Sequence, residues 1–251
     1  MKLSVEYTNA AQVVAGRPDV VLIHGTGSSA KMWQPQIEFL SNLGHSCHSL
    51  NLRGHGDTSD PLEITDLAVH TADVLETIAN SDIKFPAVFL GHSLGAIISV
   101  TLAENNPELV AAVFAAGLPG RVLKPVSFFF KIFMGTTFDV IKKSNIHQNW
   151  GFRPRTLINT ERHALEQIMY NFKDLDYVTN LPRIQCPIHL AAGRFDPVAP
   201  CIYSVQMHKK LPDSTLTIFE IAGHNFMDTQ PRKFNQWLEG GLDSLQKQLL
   251  A

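Results

Sequence analysis

Val88-Phe89-Leu90-Gly91-His92-Ser93-Leu94-Gly95-Ala96-Ile97-Ile98 is the stretch whose reading decides the fold. The apolar run from Ala87 to Leu90 reads as a buried strand, and the small, apolar run from Leu94 to Ala103 reads as a helix. Between them stands Gly-x-Ser-x-Gly, which leaves no residues for a relaxed loop. A turn that sharp forces Ser93 into a strained backbone conformation, at a cost of about 1–3 kcal/mol. The glycines two positions before and two after are what the turn requires, because a Cβ there would collide with neighbouring backbone. Ser93 is therefore expected to stand clear of the sheet at a helix N-terminus, where N–H groups and the helix dipole favour negative charge.

Working outward, strands and helices alternate on both sides. Residues 2–7 and 11–14 alternate weakly and predict an opening hairpin of edge strands. Val20 to His24 is a short apolar strand that breaks at Gly25-Thr26-Gly27, and a helix is expected from Ala30 to Leu43. Cys47 to Leu52 reads as a strand ending in the polar loop Arg53-Gly54-His55-Gly56-Asp57, followed by helical spacing from Ile64 to Ala79. Val110 to Ala116, Pro187 to Ala192 and Leu216 to Ile221 are further strands, and Arg232 to Leu250 is a closing helix interrupted by Gly240-Gly241. Strands that are apolar throughout, separated by helices, predict an α/β fold with a doubly wound, mostly parallel sheet. The alternation fails from Leu118 to Arg183, where only short helical patterns occur. The expected division is a core of residues 1–117 and 184–251 with a helical insertion at 118–183.

The composition excludes several classes. A chain of 251 residues, 45% apolar and 18% charged, suits one large α/β domain. A net charge of −2 gives no reason to expect nucleic acid or an anionic membrane. No apolar run approaches the ~20 residues of a membrane span. Cys47, Cys186 and Cys201 have unrelated spacings and read as reduced, buried small hydrophobes. The N-terminal residues lack the apolar core of a signal peptide, so a cytoplasmic location is expected.

A serine hydroxyl is a poor nucleophile at neutral pH and needs a base beside it, itself oriented by a third group. A parallel sheet gathers every post-strand loop at its carboxyl edge, where Ser93 sits. His224, in Ala222-Gly223-His224-Asn225-Phe226, follows the last strand; Asp196, in Gly193-Arg194-Phe195-Asp196-Pro197, follows the one before. Ser93, Asp196 and His224 are thus the candidate catalytic residues, in the chain order Ser, Asp, His. Glu220 is the alternative acid, but it is read as lying inside the last strand. An oxyanion hole needs backbone N–H donors, and these are expected from Leu94, after the nucleophile, and Thr26, in the Gly25–Gly27 loop. His24 and His55 flank glycines in post-strand loops and read as loop-shaping residues, and His92 as a packing one.

With these residues in view, the chain resembles the α/β-hydrolase fold superfamily. The resemblance rests on His24-Gly25-Thr26-Gly27, Arg53-Gly54-His55-Gly56-Asp57, Gly91-His92-Ser93-Leu94-Gly95, Asp196 and Gly223-His224, and spans nearly the whole chain. Lid-bearing esterases, meta-cleavage C–C hydrolases, cofactor-free haloperoxidases and menaquinone-pathway lyases share this skeleton. Serine at 93 argues against haloalkane dehalogenases and epoxide hydrolases, where an aspartate nucleophile is expected. Ser28-Ser29 after the oxyanion loop departs from the Pro-Gly usual in C–C hydrolases. The resemblance implies that residues 118–183 form a helical cap over the active site.

That segment carries ten Lys/Arg and five Asp/Glu, a net +5 that leaves −7 for the rest. Phe128, Phe129 and Phe133 in the segment, with Trp33 and Phe226 beside the motif loops, are expected to line an apolar substrate pocket. Arg153, Arg155 or Arg162 would matter only if one points inward. The expected activity is a serine hydrolase acting on a small or medium ester or thioester with an apolar acyl part, needing no cofactor and no metal. C–C bond hydrolysis or a lyase reaction on the same triad is the alternative, and a non-catalytic small-molecule receptor the third. A monomer or homodimer is expected, with Leu242, Leu245, Leu249 and Leu250 as core or dimer contacts.

Overall fold

The computed structural model describes residues 1–121, 124–172 and 174–249. In chain order the elements begin with β1 (Ser4–Thr8), β2 (Val20–Ile23), α1 (Gln34–Asn42), β3 (Cys47–Asn51), α2 (Leu67–Ala79), β4 (Ala87–His92), α3 (Leu94–Asn105) and β5 (Val110–Ala116). Four helices follow, α4 (Lys124–Thr136), α5 (Phe138–Ser144), α6 (Phe152–Asn159) and α7 (Arg162–Asn171). The chain closes with β6 (Ile188–Gly193), α8 (Cys201–His208), β7 (Ser214–Phe219), α9 (Phe226–Thr229) and α10 (Pro231–Leu249).

The seven strands form one sheet in the order β1-β3-β2-β4-β5-β6-β7. All neighbours are parallel except β1, which runs antiparallel to β3 with Ser4 opposite Asn51 and Thr8 opposite Cys47. The expected opening hairpin does not form. Residues 11–14 are not a strand, and Val13 is almost wholly exposed. The weak alternation of the first strand is real, but its partner is the edge of β3 and not the next segment of chain.

The sheet is buried on both faces, which is why its central strands are apolar throughout. In β4, Phe89 packs into one cluster with Val74 and Ile78 of α2, Ile98 of α3 and Met207 of α8. Val88 and Leu90 turn to the other, with Ile37 and Leu40 of α1 and Phe234 and Leu238 of α10. Helix starts follow local chemistry: Asp66 caps α2 by accepting the Val69 N–H at 2.9 Å, while Pro35 opens α1 and leaves Ala30–Trp33 as a 3₁₀ turn. The Gly241 interruption in α10 has a packing cause. A Cβ there would lie 2.5 Å from the Phe114 ring, so glycine lets the helix lie directly on β5. Leu242 and Leu245 enter the core beside it. Leu250 and the side chain of Leu249 lie outside the described residues.

The four helices between β5 and β6 have a cluster of their own, built on Met134, Phe138, Ile158 and Leu165 with Phe130 and Phe133 against it. Among the described residues no helix is long and apolar enough to cross a membrane.

Candidate active site

The chain winds outward in one direction from β2 to β3 and in the other from β4 to β7, so the sheet switches direction between β2 and β4. A crevice at the carboxyl ends of such a pair is where open α/β sheets bind ligands. The loop after β2 carries Thr26, and the turn after β4 carries Ser93.

Ser93 has φ 52° and ψ −112°, the left-handed region that a residue with a Cβ occupies only under strain. The flanking glycines are required by contact. A Cβ on Gly91 would lie 2.3 Å from the Gly95 carbonyl oxygen, and one on Gly95 would lie 2.0 Å from the Ile23 carbonyl oxygen. The turn is pinned by the Ser93 N–H donating to the Ala116 carbonyl at 3.0 Å. Leu94 is the first residue of α3, so its N–H is one of the helix's unpaired N-terminal donors.

His224 follows β7 and Asp196 follows β6, two loops that meet where the Phe195 N–H donates to the Ala222 carbonyl at 2.9 Å. The Asp196 side chain is fully buried. Its Oδ2 accepts from His224 Nδ1 at 2.7 Å, while Oδ1 accepts the Val198 and Ala199 N–H groups at 2.8 Å each. The imidazole is thereby held with its proton on Nδ1, leaving Nε2 as the nitrogen able to accept one.

Ser93 and His224 line one cavity of about 200 Å³, together with Thr26, Gly27, Ser28, His92, Arg153, Pro154, Leu157 and Asn225. Among the described residues Ser93 Oγ and His224 are not hydrogen-bonded to each other. Serine–histidine contacts in substrate-free sites are commonly long and tighten when a substrate is in place.

Two buried histidines hold the loop after β2. His55 donates from Nδ1 to the Arg53 carbonyl at 2.8 Å and accepts the Gly27 N–H on Nε2 at 3.0 Å. His24 donates from Nδ1 to the Gly25 carbonyl at 2.8 Å and accepts the Leu52 N–H on Nε2 at 3.0 Å. A ring nitrogen that accepts a backbone N–H cannot carry a proton, so both imidazoles are neutral. Burial, acting first, drives His24 well below the usual histidine value and His55 down to about 4. With the Gly27 amide given to His55 and the Ser28 amide to the Gly25 carbonyl at 3.2 Å, Thr26 is the loop amide left for a ligand at the cavity. His92 is also buried, and burial followed by the neighbouring His224 holds it well below its usual value. Its Nε2 donates to the His224 carbonyl at 3.1 Å, which ties the histidine loop to the serine turn.

Several expectations about the pocket require correction. Trp33 and Phe226 are completely buried in the core cluster between the sheet and α10, and neither lines the cavity. Phe128 and Phe129 are 60% and 69% exposed, on the outer face of α4. Phe133 is partly buried against the cluster of the helices between β5 and β6. Aromatic content indicated apolar surface but not its direction, and among the described residues Pro154 and Leu157 are the ones that bring aliphatic side chains to the cavity wall. Glu220 lies just past β7, not within it, and its carboxylate is exposed and paired with Arg194 at 2.7 Å. Of the three arginines in question, Arg153 reaches the cavity. Arg162 pairs with Asp139 and with Glu166 on the exposed surface, and Arg155 is exposed.

Ser28, Leu157 and Asn225 are site residues that sequence reasoning did not select, and Arg153 is one that it named without choosing among three arginines. Asn225 and Ser28 adjoin motif residues and were available by adjacency. Arg153 and Leu157 lie four apart on α6, a spacing that puts them on one helix face, but nothing in the sequence says which face meets the core.

The chain is similar to known proteins along most of its length. The Escherichia coli protein named carbamate hydrolase RutD is 26% identical over 250 residues, covering 92% of this chain and 93% of RutD. The fold is that of the esterase EaEST from Exiguobacterium antarcticum, with a TM-score of 0.80 at 19% identity over 96% of this chain and 95% of that one. The enol-lactonase from Burkholderia xenovorans LB400 gives a TM-score of 0.79 at 18% identity, covering 96% of this chain and 97% of that one. The sequence profile of the alpha/beta hydrolase family matches residues 20–237, most of the chain and every loop described above. This chain is an enzyme that belongs to the alpha/beta hydrolase family.

Proposed function

We propose that the protein is a serine hydrolase that cleaves a small carboxylic ester or thioester through an acyl-enzyme. The observation that carries this reading is the strained backbone of Ser93 on the wall of a cavity it shares with an Asp196-oriented His224. In this reading Ser93 Oγ attacks the acyl carbon as His224 Nε2 takes its proton. Asp196 stabilises the imidazolium, and the Thr26 and Leu94 N–H groups receive the negative charge that develops on the acyl oxygen. The proton then passes to the leaving group, and water attacks the acyl-enzyme with His224 again as base. Residues 118–183 act as the cap, because α6 supplies Arg153, Pro154 and Leu157 to the cavity.

The cavity favours the small end of the substrate range. A volume of about 200 Å³ lies below the roughly 300–1,000 Å³ of pockets for drug-sized ligands. The similarity to RutD supports a carbamate as a second substrate class for the same mechanism, since a carbamate presents the same acyl carbon in a comparably small polar group.

The test is a fluorophosphonate label followed by peptide mapping, with p-nitrophenyl acetate hydrolysis alongside. Labelling is expected on Ser93, and Ser93→Ala is expected to abolish it and to lower kcat by at least about 10³-fold with an unchanged melting temperature. Full activity in Ser93→Ala would remove the nucleophile from this reading. Saturable ligand binding with no turnover of any acyl substrate would favour a receptor.

A further inference from the structure

We propose that Arg153 is a positioning residue for the oxyanion hole, gripping the loops on both sides of the cavity at once. The inference rests on the serine-hydrolase reading. From α6, Arg153 Nε and Nη2 donate to the two carboxylate oxygens of Asp228 in α9 at 2.5 and 2.9 Å. Its Nη1 donates to Ser28 Oγ at 3.1 Å and lies 3.4 Å from Met32 Sδ. Asp228 stands four residues after His224, and Ser28 two residues after Thr26. One guanidinium therefore fixes the separation between the loop offering the Thr26 N–H and the segment carrying the imidazole.

The engagement of the fork decides between positioning and substrate recognition. An arginine that receives an anionic substrate must present its donors to the cavity. Here four of the five guanidinium N–H groups already point at partners in the protein, two of them in the bidentate arrangement that Arg makes with carboxylates. The rest of the loop after β2 is held in the same manner. His55 takes the Gly27 N–H from below, and the Leu157 side chain sits directly over Gly27, where a Cβ would lie 2.2 Å from Leu157 Cδ1. Gly27 has φ +70°, so the loop is shaped to fit under α6. Ser28 is the remaining point of attachment, and Arg153 supplies it. The positive charge also reaches the site, where it adds to the effects that hold His92 and His24 below their usual values.

The experiment is steady-state kinetics on p-nitrophenyl acetate for Arg153→Gln, Arg153→Lys, Ser28→Ala and Asp228→Asn, with fluorophosphonate labelling of the unmodified enzyme as reference. Oxyanion donors act in the transition state and not on bound substrate, so their misplacement lowers kcat and leaves KM nearly alone. Arg153→Gln is expected to lower kcat tenfold or more with KM changed less than threefold. Arg153→Lys is not expected to rescue it, since one ammonium cannot make the forked pair and reach Ser28 together. Ser28→Ala should reproduce part of the loss, and adding it to Arg153→Gln should cost nothing further. Ser28→Ala and Asp228→Asn each remove a single leg of the grip, so they carry the test if Arg153→Gln fails to fold. An unchanged kcat across these variants would overturn the proposal. So would a tenfold rise in KM at constant kcat, which would make Arg153 a substrate-binding group. Absence of both labelling and turnover in the unmodified enzyme would instead overturn the serine-hydrolase reading, and this inference with it.

Discussion

Asp196 uses its two carboxylate oxygens for different purposes: Oδ2 accepts from His224 Nδ1 at 2.7 Å, and Oδ1 accepts the Val198 and Ala199 amides at 2.8 Å each. That division fixes the outcome of Asp196→Asn. Two backbone N–H groups require an acceptor at Oδ1, so the asparagine amide must turn its NH₂ toward His224. The imidazole then has to accept on Nδ1 and carry its proton on Nε2, where it can no longer take one from Ser93. On the proposed serine-hydrolase reading, a loss in kcat of about 10⁴-fold is expected, the size seen for an Asp-to-Asn replacement in a Ser-His-Asp triad, with the melting temperature shifted by only a few degrees. Activity within tenfold of the unmodified enzyme would mean that Asp196 does not orient the base.

Much of this arrangement was legible in the chain because each feature has a local cause. The Gly91-x-Ser93-x-Gly95 turn needs glycine for reasons of contact, and β2, β4 and β5 are apolar because both of their faces are covered. The positions of Asp196 and His224 follow from the rule that parallel strands deliver their following loops to one edge. The pocket wall was not legible, for the opposite reason. Which face of α6 meets the core depends on packing among inserted helices with a small cluster of their own, and neither the charge nor the aromatic content of that segment encodes a direction. Trp33 and Phe226 misled by adjacency: each lies near a motif loop in the chain, but the 3₁₀ turn and α9 rotate them into the layer beneath the sheet. The first hairpin failed because alternation identifies an edge strand without naming its partner.

Buried neutral histidines set the acid limit of stability. Burial lowers His55 to about 4 and His70 to about 3, against about 6.5 in the unfolded chain. The unfolded state therefore takes up protons first as the pH falls. Stability from these groups is complete above about pH 6.5 and is lost as the pH drops toward 4, with a cost of about 2 kcal/mol for each by pH 5. The urea midpoint should fall steeply between pH 7 and pH 5, and His55→Asn or His70→Phe should flatten that slope. Because His55 holds the Gly27 amide only when neutral, and stays neutral in the folded chain down to about pH 4, activity of the folded enzyme should survive the fall in stability and fail only near pH 4. A midpoint independent of pH across this range would show that the histidines are not held neutral in the folded chain.

Leu157 closes the cavity over Gly27, and its truncation tests whether the space above Ser93 sets the acyl length. The side chain fits only because position 27 has no Cβ, and Leu157 with Pro154 supplies the apolar part of the wall. A cavity of about 200 Å³ should favour acetyl and propionyl p-nitrophenyl esters over hexanoyl and octanoyl ones. Leu157→Ala removes the three carbons beyond Cβ and opens room for a similar length of acyl chain. At about 0.8 kcal/mol per buried methylene, two to three additional groups are worth roughly 2 kcal/mol in the transition state. Since about 1.4 kcal/mol is tenfold in rate, kcat/KM for the hexanoyl ester relative to the acetyl ester should rise by more than tenfold. Leu157 is only partly buried, so the variant should fold and its acetyl activity should persist. A chain-length profile that does not move would place the acyl group elsewhere and leave Leu157 as a contact that merely seats α6 on the loop.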